Sequence, residues 1–128
     1  MCGIVGYLGT RDALPLLLEG LKRLEYRGYD SAGVAIRHES GFEICREVGK
    51  VASLEAKLGK EPNKYKGSEG IAHTRWATHG VPAERNAHPH SDDKSEIVLV
   101  HNGIIENHQT LKKAFASKGH VFKSETDT

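Results

Sequence analysis

The chain has 128 residues, with 18 basic side chains against 17 acidic ones and a net charge of +1, enough for one ordinary domain with a real core. No basic stripe interleaved with aromatics is present, which argues against a nucleic-acid partner, and no apolar run approaches the ~18 residues that span a bilayer. The Met1-Cys2-Gly3-Ile4-Val5 start lacks a basic n-region, and two cysteines with no sign of export place the chain in a reducing cytoplasm.

Gly3 to Leu8 reads as a short apolar strand. Thr10 is the expected cap of a first helix, with Asp12 in its first turn and Leu14, Leu17, Leu18, Leu21 and Leu24 along one stripe. That helix is expected to end near Tyr26-Arg27-Gly28. Ser31 to Ile36 and Phe42 to Val48 flank a turn at Glu39-Ser40-Gly41, a β-hairpin pattern that also holds Cys45. Val51 to Lys60 is a weaker helix, followed by a polar loop. Gly70 to Thr74 and Ile97 to His101 read as buried strands around a loop rich in His, Asn and Pro. Asn107 to Lys118 forms a third helix with Leu111, Ala114 and Phe115 inward and Gly119 as its stop. Val121-Phe122-Lys123 begins another strand, and the end at Ser124 to Thr128 is expected to cut through an element.

Cys2 directly follows the initiator methionine. Removal of Met1 would leave a thiol and a free α-amine on one carbon, so that a nucleophile carries its own general base; the amine titrates near ~7.7–8.0. A chance cysteine at this position is the plain alternative. Three loops then hold polar residues at strand ends, a common place for a site. Arg27-Gly28-Tyr29-Asp30-Ser31 is either a turn or a site loop. His73 to Gly80 places Trp76, the only tryptophan, beside Arg75, whose planar fork suits a carboxylate; Trp76 as a core anchor is the other reading. His101-Asn102-Gly103 fits a tight turn, and equally an oxyanion hole made by the Asn102 amide and the Gly103 N–H. His73, His79, His88, His90 and His101 lack the spacings that make zinc convincing, so no metal is expected. A Cys–His pair using His79 or His101 as base stays open.

With these residues in view, the chain resembles the glutaminase part of class II glutamine amidotransferases. Within that class it is most similar to the amino-sugar branch, the glutamine–fructose-6-phosphate aminotransferases. The resemblance runs from Cys2-Gly3-Ile4-Val5-Gly6 to Ser124-Glu125-Thr126-Asp127-Thr128. Its discriminating motifs are Arg23 to Gly33, Ala72 to Gly80, Asn86-Ala87-His88-Pro89-His90 and His101 to His108. A purine-pathway amidotransferase is the less similar alternative, and a non-catalytic assembly piece is the rival from another class.

The resemblance implies an α+β fold of N-terminal-nucleophile hydrolase type, an αββα sandwich, with residues 1–128 forming only its first part and the sugar-isomerase domains absent. It implies that Cys2 attacks glutamine, that Asn102 and Gly103 hold the oxyanion, and that Arg75 binds the α-carboxylate. Thr78 and His79 would line that loop, and Asp127 would take the α-ammonium. Trp76 would separate the glutamine pocket from the ammonia exit, while Arg27 and Gly28 support the site. No cofactor is implied. The partners implied are glutamine and the remainder of a synthase chain, self-associated as a homo-oligomer.

Overall fold

A computed structural model describes residues 1–77 and 80–128. Four antiparallel strands, β1 (Gly3–Leu8), β2 (Ser31–His38), β3 (Gly41–Val48) and β4 (Glu69–Arg75), make one sheet in the order β1-β4-β2-β3. The hairpin and the Gly70 to Thr74 strand stand where the sequence pattern placed them. Helices α1 (Ala13–Leu24) and α2 (Val51–Leu58) pack on this sheet and bury Leu17, Leu21, Leu54 and Leu58 against Val34, Ile36 and Ala72. Each such side chain contributes about 1.5–3 kcal/mol through burial. Cys45 lies in the same core and is unoxidised.

Side chains alternate across β2, so Ala32, Val34 and Ile36 join the helix-side core while Ser31 and Gly33 face the other way. On that second face the His88 carbonyl sits directly over Gly33, so closely that a Cβ there would overlap it. The loops between β4 and α3 (His108–Ala116) therefore lie against the sheet face that the helices leave open.

Several expectations are corrected. The cap of α1 is Asp12, not Thr10, and it makes no side-chain cap bond. The first turn is satisfied instead by the Gly67 loop, whose carbonyl accepts from the Ala13 N–H at 2.7 Å. The helix does end in a 3-10 turn, Glu25–Arg27, before Gly28 at φ +85°. The expected buried strand Ile97 to His101 shrinks to β6 (Val98–Leu99), paired only with β5 (His90–Ser91). Ile97 is 62% and Leu99 44% exposed, because a ladder two residues long offers nothing to cover them. Helix α3 has no buried residue; Leu111, Ala114 and Phe115 form an apolar pattern without an inward face. It is tethered by polar contacts, with the Lys112 ammonium donating to the Ser124 carbonyl at 2.8 Å. Val121 to Lys123 is irregular rather than a strand.

Candidate active site

Cys2 precedes β1, and pairing of Gly3 with Thr74 brings it level with the end of β4. There the Trp76 backbone N–H donates to the Cys2 sulfur at 3.1 Å. Both line an open cavity of about 710 Å³ that also takes in Arg27, Arg75, Asn102, Gly103 and Asp127. Seven of the ten residues expected in the site thus meet at one cavity. Gly28 stands just behind it, and its neighbour is Trp76: a Cβ on Gly28 would overlap the indole ring. At φ +85° the position also favours glycine. Thr78 and His79, named from the sequence, lie outside the described residues.

Met1 is in place at the cavity mouth. Its ammonium donates to the Arg27 carbonyl at 2.6 Å, and the Arg27 guanidinium lies 3.6 Å from its sulfur. While Met1 is attached, the Cys2 nitrogen is an amide and no base.

Asn102 is exposed to the cavity but its amide is fixed at both ends. Its Nδ2 donates to the Cys2 carbonyl at 3.1 Å, and its Oδ1 lies 2.6 Å from His73 Nε2. An amide nitrogen has two hydrogens, so one remains beyond the bond to Cys2. Arg75 is 4% exposed; its guanidinium pairs with Asp30 at 3.5 Å and donates to the Gly80 carbonyl at 3.1 Å. Asp127 accepts from the Ile105 N–H at 2.7 Å. A cation and a carboxylate are therefore both rooted in the cavity wall.

Beneath Asn102 three buried imidazoles pack ring to ring. His73 stacks on His88 at 4.3 Å, and His88 meets His90 edge-on at 4.4 Å. Burial holds all three below the usual 6.5, His73 and His90 at about 4. For His73 the Asn102 bond opposes that effect and Arg75 adds to it. Among the described residues no group of three or more His, Cys, Asp or Glu is placed to hold a metal ion.

The stack makes stability pH-dependent. Between pH 6.5 and about 4 the unfolded chain binds protons at these histidines that the folded chain refuses, so stability is full above 6.5 and falls on acidification. Each tenfold loss of proton affinity is worth about 1.4 kcal/mol, giving roughly 3 kcal/mol for His73 alone. The urea midpoint is expected to drop steadily from pH 7 to pH 5; a flat profile there would refute the assignment of neutral imidazoles.

Asn86 is the site residue that spacing did not reveal. It is fully buried; its Nδ2 donates to the Val81 carbonyl at 2.9 Å and to Glu125 at 3.0 Å, and its Oδ1 accepts from the Glu125 N–H at 2.8 Å. It thus ties the loop that holds the Arg75 guanidinium to the segment carrying Asp127. Asn86→Asp keeps the size but sets a carboxylate against Glu125 and removes both donations, a loss of about 1–3 kcal/mol. If the cavity takes glutamine, as the resemblance implies, the expected result is a KM raised about tenfold with kcat nearly unchanged; an unchanged KM would show that the tie does not serve the site.

A family model described as a glutamine amidotransferase domain matches residues 59–128, and the chain belongs to that family. Its whole length is 55% identical to part of the glutamine–fructose-6-phosphate aminotransferase (isomerizing) of Thermus thermophilus, 59% identical over 129 residues to that of Pseudomonas aeruginosa, and 56% to that of Pyrococcus horikoshii. The chain spans about a fifth of each of these relatives, 21%. Among solved structures it resembles the glutamine phosphoribosylpyrophosphate amidotransferase of B. subtilis, with a TM-score of 0.81 at 26% identity, covering all of this chain and 27% of that one. The allosteric regulatory enzyme of purine biosynthesis gives 0.79 at 26% identity, over 95% of this chain and 26% of that one. The α+β class expected from the sequence is the class found.

Proposed function

We propose that this chain hydrolyses glutamine with Cys2 as nucleophile, once Met1 has been removed. The observation that carries the reading is the Asn102 amide, held by hydrogen bonds beside Cys2 at the edge of a cavity that Arg75 and Asp127 share. The α-amine of Cys2 takes the thiol proton, and the sulfur bonds to the carboxamide carbon of glutamine. Charge develops on the amide oxygen, where the second Asn102 N–H and the Gly103 N–H donate to it; one such donor is worth about 3–4 kcal/mol. The tetrahedral intermediate collapses with the proton passing to nitrogen, so that ammonia leaves and a γ-glutamyl thioester remains. Water then cleaves the thioester to glutamate and frees the thiol. Arg75 binds the substrate α-carboxylate, and Asp127 binds its α-ammonium. Trp76, stacked over Gly28, walls the pocket on the side where ammonia departs, and Arg27 frames its mouth.

Identity of 55–59% to glutamine–fructose-6-phosphate aminotransferases, against 26% to the two solved amidotransferase-type structures, favours a sugar phosphate as the nitrogen acceptor. That acceptor would bind elsewhere in a longer, cytoplasmic, self-associating chain. The test is glutamate release from glutamine by Met1-free protein, with the thioester trapped by hydroxylamine. Absence of both from protein shown by mass to start at Cys2 would sink the reading and favour an inert assembly piece.

A further inference from the structure

We propose that His73 is a positioning residue for glutamine hydrolysis: its Nε2–H anchors the Asn102 amide oxygen and so keeps that amide's N–H groups aimed at the nucleophile. The inference rests on the glutaminase reading and deepens it. His73 lies in β4, paired with Ile4 of β1 and Gly33 of β2, and is 1% exposed. It cannot touch a substrate in the cavity. Its Nε2 is 2.6 Å from Asn102 Oδ1, and a carbonyl oxygen only accepts, so Nε2 carries the hydrogen. The other ring nitrogen, Nδ1, is buried with no hydrogen-bond partner among the described residues. The tautomer is therefore set by Asn102 itself rather than by a bond on the far side of the ring.

This bond holds the geometry at Cys2. With the amide as it stands, Nδ2 donates to the Cys2 carbonyl. Turned over, it would set its carbonyl against the Cys2 carbonyl, which is repulsive, while the imidazole could answer the NH₂ only by moving its hydrogen to Nδ1. The Cys2 carbonyl therefore selects the orientation, and His73 holds the oxygen end of it. Asn102 is exposed, and its other hydrogen bond among the described residues is the one to the Cys2 carbonyl, so without His73 the amide is held at its nitrogen alone and its plane can swing about that bond. The ring itself cannot tilt, being stacked on His88 at 4.3 Å. Burial keeps it neutral, so the donor is supplied without a positive charge in the sheet.

The experiment uses the complete polypeptide that carries this segment, freed of Met1. Three variants separate positioning from bulk. In Gln the amide nitrogen reaches the place of Nε2; in Asn it reaches only the place of Nδ1; Ala offers no donor. His73→Asn and His73→Ala are expected to lower kcat for glutamine hydrolysis about 100-fold, the loss of one oxyanion donor. KM should stay within about threefold, because the interaction is made in the transition state. His73→Gln should keep kcat within about tenfold of the parent protein.

Alkylation of Cys2 by iodoacetamide, a displacement with no oxyanion, should proceed at the parent rate in all three, which a collapsed site would not allow. In an Asn102→Ala background, His73→Ala should cost nothing further. Equal losses for Gln and Asn, a parent-like kcat for Ala, or additive losses in the double variant would each overturn the inference while leaving the glutaminase intact. A parent protein that hydrolyses no glutamine overturns the underlying reading and this inference with it.

Discussion

Protein made with methionine removal blocked will hydrolyse glutamine at least about 100-fold more slowly than the processed form, and treatment with a methionine aminopeptidase will restore it. Two losses combine. The first is chemical: with Met1 attached, the Cys2 nitrogen is an amide and cannot take the proton from the thiol. General-base assistance is worth about 10²–10⁴-fold. The second is steric. Met1 lines the cavity, and its ammonium is bonded to the Arg27 carbonyl at 2.6 Å, so substrate must displace it to reach the sulfur. Cys2→Ala removes the nucleophile and is expected to leave no activity above background whatever the N-terminus. Intact mass identifies each form, and glutamate release reads the rate. Equal activity with and without Met1 would rule out the α-amine as base and return attention to a histidine partner such as His101, which lines the same cavity.

How far the sequence could be read divides by what each signal depends on. Strands β1 to β4 and helices α1 and α2 were visible because their apolar residues alternate or recur at helical spacing and find partners within this chain. Leu17 and Leu21 predicted a buried stripe, and they are buried. Leu111 and Phe115 show the same spacing yet are exposed; periodicity announces an apolar face and says nothing of what covers it. Cys2, Asn102, Arg75 and Asp127 were singled out by residue chemistry together with the resemblance, and the fold brings them to one cavity. Asn86 and His73 fell within motifs that carried the resemblance but were given no role. Asn86 works through bonds to residues 5 and 39 positions away, and His73 through one 29 positions away. Neither distance can be guessed from local pattern. The α1 cap was missed for the same reason, because a carbonyl at Gly67 does what a side chain at Thr10 was expected to do.

Gly33→Ala is the substitution expected to damage the protein most without touching the cavity. Gly33 sits in a strand flanked on both sides, opposite Arg46 in β3 and His73 in β4, so the strand cannot move aside. Its added Cβ would overlap the His88 backbone oxygen and also fall 3.0 Å from the Arg46 side chain. A flexible side chain can yield, but a carbonyl bonded into the 88–90 segment must take that segment with it. Lifting it parts His88 from His73 and draws on the 3.4 Å bond from the His101 N–H to His88 Nδ1, which leads straight to Asn102. Overpacking costs about 1–3 kcal/mol, and a backbone clash in a central strand belongs at the upper end, equivalent to a melting point roughly 10 °C lower. Misplacing a catalytic amide by about 1 Å costs on the order of 10²-fold in rate, so kcat/KM should fall by at least that much. Gly6→Ala is the matched control: it makes the same change in β1 of the same sheet, where a Cβ meets nothing within 4 Å. Its stability should stay within about 0.5 kcal/mol of the parent. If Gly33→Ala melts and turns over glutamine as Gly6→Ala does, the 88–90 segment is not held by the sheet, and the imidazole stack is not what fixes Asn102.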